Sequence, residues 1–138
     1  MIKKEKINIK TKGNTDVIDI TREVQSKVDK SGVQEGHVLV FVSGSTAGVT
    51  TVEYEPGLEK DLKEMFERVV PSDKDYYHNE RWGDGNGHSH VRASLLGPSV
   101  IVPFSNGELL LGTWQQIVLM DFDNRARSRE IVVQVVGE

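Results

Sequence analysis

The chain lacks cysteine altogether among its 138 residues. This absence excludes a catalytic thiol, a disulfide framework and any zinc site built on thiolates. No apolar run approaches the roughly 20 residues that a membrane-spanning helix needs, and the N-terminal segment has no apolar stretch typical of a secretion signal. We therefore expect a cytoplasmic protein that makes no contact with a membrane.

The chain also lacks the excess of basic residues that nucleic-acid-binding surfaces normally show. Lys and Arg number 17 against 21 Asp and Glu, which gives a net charge of −4. The lysines near the N-terminus fit the solvent side of a strand better than an arm that holds phosphates. We expect no nucleic-acid partner, and a chain of this length fits one domain over residues 1–138.

Apolar periodicity and turn signals predict a protein that mixes strands and helices. The predicted strands cover residues 2–10, 17–20, 37–42, 49–54, 100–102, 109–111, 117–120 and 130–136. One helix is predicted from a cap at Asp19 or Thr21 to about Lys30, and a second opens at Pro56. This order is typical of an α+β fold with a mixed or antiparallel sheet flanked by two main helices.

A polar segment at residues 71–87 shows no periodicity and is long for a loop in a compact protein. Such loops are often functional. Ser89 is the predicted N-cap of a short helix that runs through Leu96 and stops at Gly97.

Three of the four histidines, His78, His88 and His90, lie in or beside this segment together with Asp84. Neutral imidazole is the commonest metal ligand, so these histidines are the candidate metal ligands and, with Asp84, the candidate catalytic residues. His88 and His90 would share one side of an extended segment but diverge by about 200° inside a helix. A cap at Ser89 would let both face one pocket. Plain solvation of loop histidines is the alternative.

The same segment can also hold an anion. Its spaced glycines allow backbone N–H groups to approach a ligand, and the following helix N-terminus adds donors. Arg81 and Arg92 are candidates to clamp a phosphate. The alternative is that these glycines only permit tight turns.

Two further loops offer candidate ligand-binding residues. The small residues from Ser43 to Gly48 supply hydroxyl and backbone donors, among them Thr46, but no P-loop lysine. Glu53 could reach the histidines from the next strand or simply face solvent. Trp114 and Gln115 could stack and hydrogen-bond a heteroaromatic ring, although a tryptophan at a strand start is more often a core residue.

Three arginines alternate near the C-terminus, at positions 125, 127 and 129. Arg125, Arg127 and Arg129 could form a second anion clamp. We favour the alternative, a solvated strand edge whose charges discourage pairing with other chains.

Several long motifs resemble the YjbQ family of secondary thiamine-phosphate synthase enzymes. They are residues 83–90, Gly-Asp-Gly-Asn-Gly-His-Ser-His; residues 94–99, Ser-Leu-Leu-Gly-Pro-Ser; residues 111–115, Leu-Gly-Thr-Trp-Gln; and the final Gly-Glu. The resemblance covers nearly the whole chain. It implies an α+β sandwich flanked by helices and a homotrimer about a threefold axis.

The resemblance further implies a weak transferase activity that joins a hydroxymethylpyrimidine diphosphate to a thiazole phosphate. It places six residues around the site: His78, Asp84, His88, His90, Trp114 and Gln115. Many family members carry a histidine just before the Thr-Ala-Gly loop, where this chain has Gly44. If that histidine binds the ligand or metal in other members, this chain must manage without it.

The expected partner is thus a small phosphorylated molecule, and the expected cofactor is a divalent metal ion. Imidazole ligands favour Zn²⁺ or another transition metal, whereas diphosphate chemistry prefers Mg²⁺, so the identity of the ion stays open. Two alternative functions also stay open: a metal-dependent hydrolase of a phosphorylated small molecule, and a metabolite-binding module without catalysis.

Overall fold

The computed structural model describes residues 1–138 as eight strands and four helices. The strands are β1 (Ile2–Thr11), β2 (Asp16–Asp19), β3 (Gly36–Val42), β4 (Ala47–Val52), β5 (Ser99–Ser105), β6 (Glu108–Leu109), β7 (Gln116–Asp121) and β8 (Arg127–Gly137). The helices are α1 (Thr21–Ser31), α2 (Pro56–Val69), α3 (Tyr77–Trp82) and α4 (Gly87–Leu96).

The strands form two sheets, and every strand pair is antiparallel. The larger sheet has the order β1-β8-β3-β5-β6, and the smaller has the order β2-β7-β4. The predicted α+β class with antiparallel sheets and flanking helices is therefore confirmed.

The main core lies between the sheets and α1. Side chains alternate along a strand, so Val38, Val40 and Val42 of β3 are fully buried while Phe41 faces the opposite side and is exposed. A second cluster around Phe66 and Phe122 packs α2 and α4 against the smaller sheet. This second cluster anchors the end of the sheet where the candidate site lies.

The two main helices begin and end near the predicted residues. Gly32 ends α1 in the left-handed conformation, with φ of 71°. Glu55 caps α2 by accepting hydrogen bonds from the N–H groups of Gly57 and Leu58, and Pro56 occupies the first turn.

The segment predicted as a loop over residues 71–87 contains helix α3, which sequence periodicity did not indicate. The predicted cap at Ser89 is also wrong, because α4 begins at Gly87 after Asn86 and Ser89 lies inside it. Gly87 starts the helix by donating its N–H to Oδ1 of Asn79, 2.8 Å away.

None of the four helices is long and apolar enough to cross a membrane.

Candidate functional site

The candidate site lies at the end of the smaller sheet where β4 begins and β7 finishes. Ala47 of β4 pairs with Asp121 of β7 at this end. The β3–β4 loop and the turn after β7 therefore meet here, and α4 packs across β4 beside them. This arrangement brings Thr46 and Asp123 within 3.0 Å of each other through a hydrogen bond from the Thr46 hydroxyl.

Asp123 accepts hydrogen bonds from four residues at this end of the sheet. Its buried carboxylate accepts hydrogen bonds from Nδ2 of Asn86, the hydroxyl of Thr46, Nε of Arg127 and the N–H of Asn124. Burial raises its pKa, but the four hydrogen bonds outweigh burial and leave the pKa below the usual range. Asp123 is therefore ionised, and it ties α4 to the β7–β8 turn.

Helix α4 separates His88 from His90. Both lie within its ten residues, so their side chains point in different directions, as the 3.6-residue repeat requires. His88 is buried and lies near Tyr76, with ring centroids 6.3 Å apart. His90 is half-buried and instead faces His78 of α3, with ring centroids 4.2 Å apart.

The His78–His90 pair lies beside Asp84, whose Oδ1 is 3.8 Å from Nδ1 of His78. Burial and the nearby His78 lower the pKa of His90. Burial and the charge of Arg92 lower the pKa of His88. Both imidazoles are thus held in the neutral form, which can bind a metal or exchange a hydrogen-bonded proton.

Three buried side-chain atoms near the start of α4 have no hydrogen-bond partner: Nδ1 of His78, Oδ1 of Asn86 and Nδ1 of His88. A buried polar atom without a partner costs about 1–3 kcal/mol. Such atoms are uncommon in folded proteins, where most buried polar side-chain atoms have a hydrogen-bond partner. All three atoms lie on α3 or at the start of α4, where the two helices meet.

No group of three His, Asp or Glu side chains in the chain is placed to hold a metal ion. The predicted set of His78, His88 and His90 is not assembled, because the turn of α4 directs His88 toward Tyr76. His78 and His90 provide two neighbouring imidazoles. These residues do not fit a complete three-histidine site.

Arg92, predicted to clamp a phosphate, is instead bonded to the protein through all three of its nitrogens. Nε and Nη2 donate to the carbonyl of Val70, Nη1 donates to the hydroxyl of Thr15, and Nη2 also donates to Glu67. Its side chain is only 4% exposed. Arg92 therefore holds α4 against the end of α2. Arg81 is exposed beside the ring of Trp82, with no carboxylate partner.

The favoured interpretation of the C-terminal arginines as a solvated edge is corrected by the structure. Strand β8 pairs with both β1 and β3, so it is not an edge. Arg127 donates to Asp123, and Arg129 donates to Asp121 through two nitrogens at 2.7 and 2.8 Å. Only Arg125 is exposed without such a pair. These two ion pairs join the larger sheet to the smaller one.

Glu53, Trp114 and Gln115 lie at the opposite end of the smaller sheet. Val52 pairs with Gln116 there, five residues along β4 from the Ala47–Asp121 pair. The strand alone separates the two ends by about 17 Å, at ~3.4 Å per residue. Trp114 is 74% exposed. Gln115 donates to the hydroxyl of Thr51. Within a single chain, these three residues therefore lie far from the histidines.

Sequence reasoning missed three residues that build the site: Asn79, Asn86 and Asp123. Asn79 accepts a hydrogen bond from Gly87, 8 residues later, and Asp123 accepts one from Asn86, 37 residues earlier. Polar residues at such positions look like ordinary turn formers in the sequence. Only the DNR run at residues 123–125, directly after the apolar β7, hinted at a structured polar turn.

Comparisons with known proteins agree with the fold and its motifs. Residues 5–138 match the family model described as UPF0047 protein YjbQ-like. A UPF0047 protein of Archaeoglobus fulgidus is 38% identical over 130 residues, covering 94% of this chain and 98% of that protein. UPF0047 protein YugU of Bacillus subtilis is 35% identical over 132 residues, covering 95% and 97%.

Solved structures of similar proteins superpose closely. A YbjQ-like protein of unknown function from Sulfolobus solfataricus has a TM-score of 0.90 and 33% identity, with both chains covered completely. A YjbQ/UPF0047 protein from Clostridium acetobutylicum has a TM-score of 0.87 and 38% identity over 96% of this chain and 99% of that one. The chain belongs to the YjbQ/UPF0047 family.

Proposed function

We propose that the protein binds a small phosphorylated molecule where α3 and α4 meet, beside the β3–β4 loop, and that His78 and His90 contact it. The unpartnered buried atoms of His78, Asn86 and His88 carry this proposal. A neutral imidazole has one N–H donor and one acceptor nitrogen, so the pair can bond a phosphoryl oxygen and a ring nitrogen or hydroxyl together.

Calorimetric titration with phosphorylated compounds tests this proposal. Inorganic phosphate, pyrophosphate, a pyrimidine diphosphate and a thiazole phosphate form a suitable series. We expect saturable binding that His90→Ala weakens at least tenfold. His37→Ala is the matched control, because His37 is exposed on β3 at the end away from the site. Equal affinities in the two variants, or no binding by any compound, would contradict the proposal.

The reaction we propose to test first is the transfer implied by the family resemblance. A thiazole nitrogen forms a bond to the methylene carbon of a hydroxymethylpyrimidine diphosphate, while the carbon–oxygen bond breaks and pyrophosphate leaves with the electron pair. The task of the protein in such a step is to align two rings and to stabilise the departing charge. The Asn86 amide and the neutral His90 are suitably placed groups for orienting a ligand.

Product analysis separates this reaction from the two alternatives. Thiamine phosphate formed above a His78→Ala/His90→Ala background supports the transferase. Inorganic phosphate released from a single substrate supports a hydrolase. Tight binding with neither product supports a metabolite-binding module.

We also propose that a divalent metal ion, Zn²⁺ or Mg²⁺, binds together with the ligand. His78 and His90 supply two imidazoles, and no third His, Asp or Glu of the chain joins them. Phosphoryl oxygens can complete such a coordination sphere. Metal titration with and without pyrophosphate tests this point, and we expect pyrophosphate to tighten metal binding. Metal affinity that is unchanged by pyrophosphate would contradict it.

A homotrimer is the proposed assembly, with Trp114 and Gln115 of the partner subunit reaching the site. Two observations support a contact between copies. The exposed end of the smaller sheet carries Trp114, and Phe41 and Ile101 are exposed on the face of the larger sheet opposite the core. Light scattering of the wild type and Ile101→Lys tests this assembly. A monomeric wild type would contradict it.

A further inference from the structure

We propose that Gly44 opens a small oxyanion subsite on the buried guanidinium of Arg129, and that this subsite takes the phosphoryl group of the ligand. The inference rests on the proposed function, because it names the group of residues that holds the charged end of that ligand. It makes Arg129 a ligand-contacting residue, the role that the sequence left as the less favoured alternative for the C-terminal arginines.

The guanidinium of Arg129 is fixed but not fully used. Its side chain is 9% exposed. Nε and Nη2 donate to the carboxylate of Asp121, and Nη2 also donates to the hydroxyl of Thr46 at 2.6 Å. Nη1 donates to no atom of the chain, although a guanidinium always carries N–H donors on this nitrogen. The structure thus orients one charged donor nitrogen and leaves it free for a ligand.

Gly44 is the residue that leaves Nη1 accessible. A Cβ atom built at this position would lie 3.0 Å from Nη1 of Arg129. Its φ of 132° is also a value that residues with side chains rarely adopt. Any other residue at position 44 would therefore cover the donor, so the absence of a side chain here has a chemical consequence.

The β3–β4 loop adds further donors around this nitrogen. The backbone N–H groups of Gly44, Ser45 and Thr46 make no hydrogen bond within the chain. Successive free N–H groups of this kind form concavities that bind anions. The exposed hydroxyl of Ser45 is likewise unbonded. Guanidinium, backbone N–H and hydroxyl donors thus border the loop beside Gly44.

A cavity of about 170 Å³ adjoins the loop. Its walls are Gly44, Ser45, Ala47, Ala93, Ser94 and Pro98. Pockets for whole organic ligands usually measure about 300–1,000 Å³, whereas one water occupies about 30 Å³ in the liquid. The cavity therefore suits a phosphoryl group better than an entire metabolite.

Two residues that line the cavity lie on the same helix as His90. Ala93 and Ser94 lie three and four residues after His90 on α4, so they share its face of the helix. A ligand whose phosphoryl group occupies the subsite would extend along this face toward His90. Asp121 and Asp123 balance the charges of Arg129 and Arg127, so hydrogen bonds from fixed donors, rather than net charge, would hold the oxyanion.

Phosphate titration of a matched pair of variants tests the subsite. Gly44→Ala places a methyl group against Nη1. Gly32→Ala is the control, because Gly32 also has a positive φ, of 71°, but a Cβ there would meet no atom within 4 Å. With inorganic phosphate as the probe, we expect Gly44→Ala to weaken binding at least tenfold and Gly32→Ala to leave it unchanged.

Amide resonances of the wild-type protein give a second readout that needs no variant. Phosphate should shift the amide signals of residues 44–46. Equal phosphate affinity in Gly44→Ala and wild type, or shifts confined to residues 83–90, would overturn the subsite and leave the proposed function standing. Failure of the wild type to bind any phosphorylated compound would overturn both. If Gly44→Ala does not fold, the wild-type amide shifts decide.

Discussion

The imidazole rings of His78 and His90 are in contact across the α3–α4 junction, with centroids 4.2 Å apart and planes inclined by 38°. Each helix supplies one ring. Asn79, next to His78, accepts a hydrogen bond from the N–H of Gly87 at 2.8 Å, three residues before His90. This hydrogen bond joins α3 to the start of α4 and so helps to place the two rings.

Asn79→Ala should disturb this placement. Loss of the acceptor leaves the Gly87 N–H without a partner and should lower the free energy of unfolding by about 1–2 kcal/mol. Ligand binding should weaken because the rings separate. Asn79→Asp keeps an oxygen at the same position and should restore both properties. Chemical denaturation and calorimetry measure the two effects, and equal behaviour of the Ala and Asp variants would refute this role.

Arg92→Ala should destabilise the fold severely. It removes the only side-chain donors to the buried carbonyl of Val70, and it leaves the buried hydroxyl of Thr15 without its cationic partner. We expect a loss of about 2–4 kcal/mol in the free energy of unfolding. Arg81→Ala is the control, since Arg81 is exposed and should change stability by less than about 0.5 kcal/mol. Similar denaturation midpoints for both variants would contradict this prediction.

Glu67 should make stability depend on pH in the acid range. Hydrogen bonds from the N–H and hydroxyl of Ser72, with a further contribution from Arg92, lower its pKa from 4.5 to about 2. A depressed pKa in the folded state stabilises the protein above pH 4.5, and this contribution is lost as the pH falls toward 2.

Urea denaturation of the wild type and Glu67→Gln at pH 7, 5 and 3 measures this effect. We expect the advantage of the wild type to be the same at pH 7 and pH 5 and to shrink by pH 3. An advantage that stays constant down to pH 3 would show that the carboxylate is not held in its ionised form.

Asp121→Ala should destabilise the protein strongly. It leaves the guanidinium of Arg129 buried without its counter-charge, which costs about 3–5 kcal/mol when one partner of a buried pair is removed. Asp84→Ala is the control, because the Asp84 side chain is 52% exposed. Thermal unfolding measures both, and a midpoint for Asp121→Ala near that of the control would contradict the importance of this pair.

Most of the strands and both long helices could be predicted because burial imposes a regular pattern on their residues. The alternation of β3 is an example, as is the pair of buried valines, Val24 and Val28, four apart on α1. Antiparallel pairing follows from short connections such as the Asn106–Gly107 turn, where both residues have positive φ.

Helix α3 could not be predicted in this way. Its six residues include none that is buried, so no apolar period marks it. Its position depends on the hydrogen bond between Asn79 and Gly87, which only the folded chain reveals. The start of α4 was misplaced for the same reason, since Ser89 resembles a cap but Asn79 provides the acceptor.

The histidines in the sequence located part of the candidate site. The residues that hold the site in place could not be identified from the sequence. The sequence grouped His78, His88 and His90 by proximity, whereas helical geometry separates His88 from the other two. Arg129 looked like a surface residue because alternating arginines often lie on an exposed face. Its burial depends on Asp121, which ends an apolar strand and gave no sign of facing inward.

The two ion pairs that join the sheets have a consequence for how the protein folds. Asp123 and Arg127 are four residues apart, and Asp121 and Arg129 are eight apart. Contacts this short in sequence close small loops, so they cost little chain entropy and can form early. We therefore expect the β7–β8 turn to be structured in the folding transition state, before β1 reaches β8 from the far end of the chain. The β7–β8 turn, which supports the candidate site, would then fold before the rest of the chain packs against it.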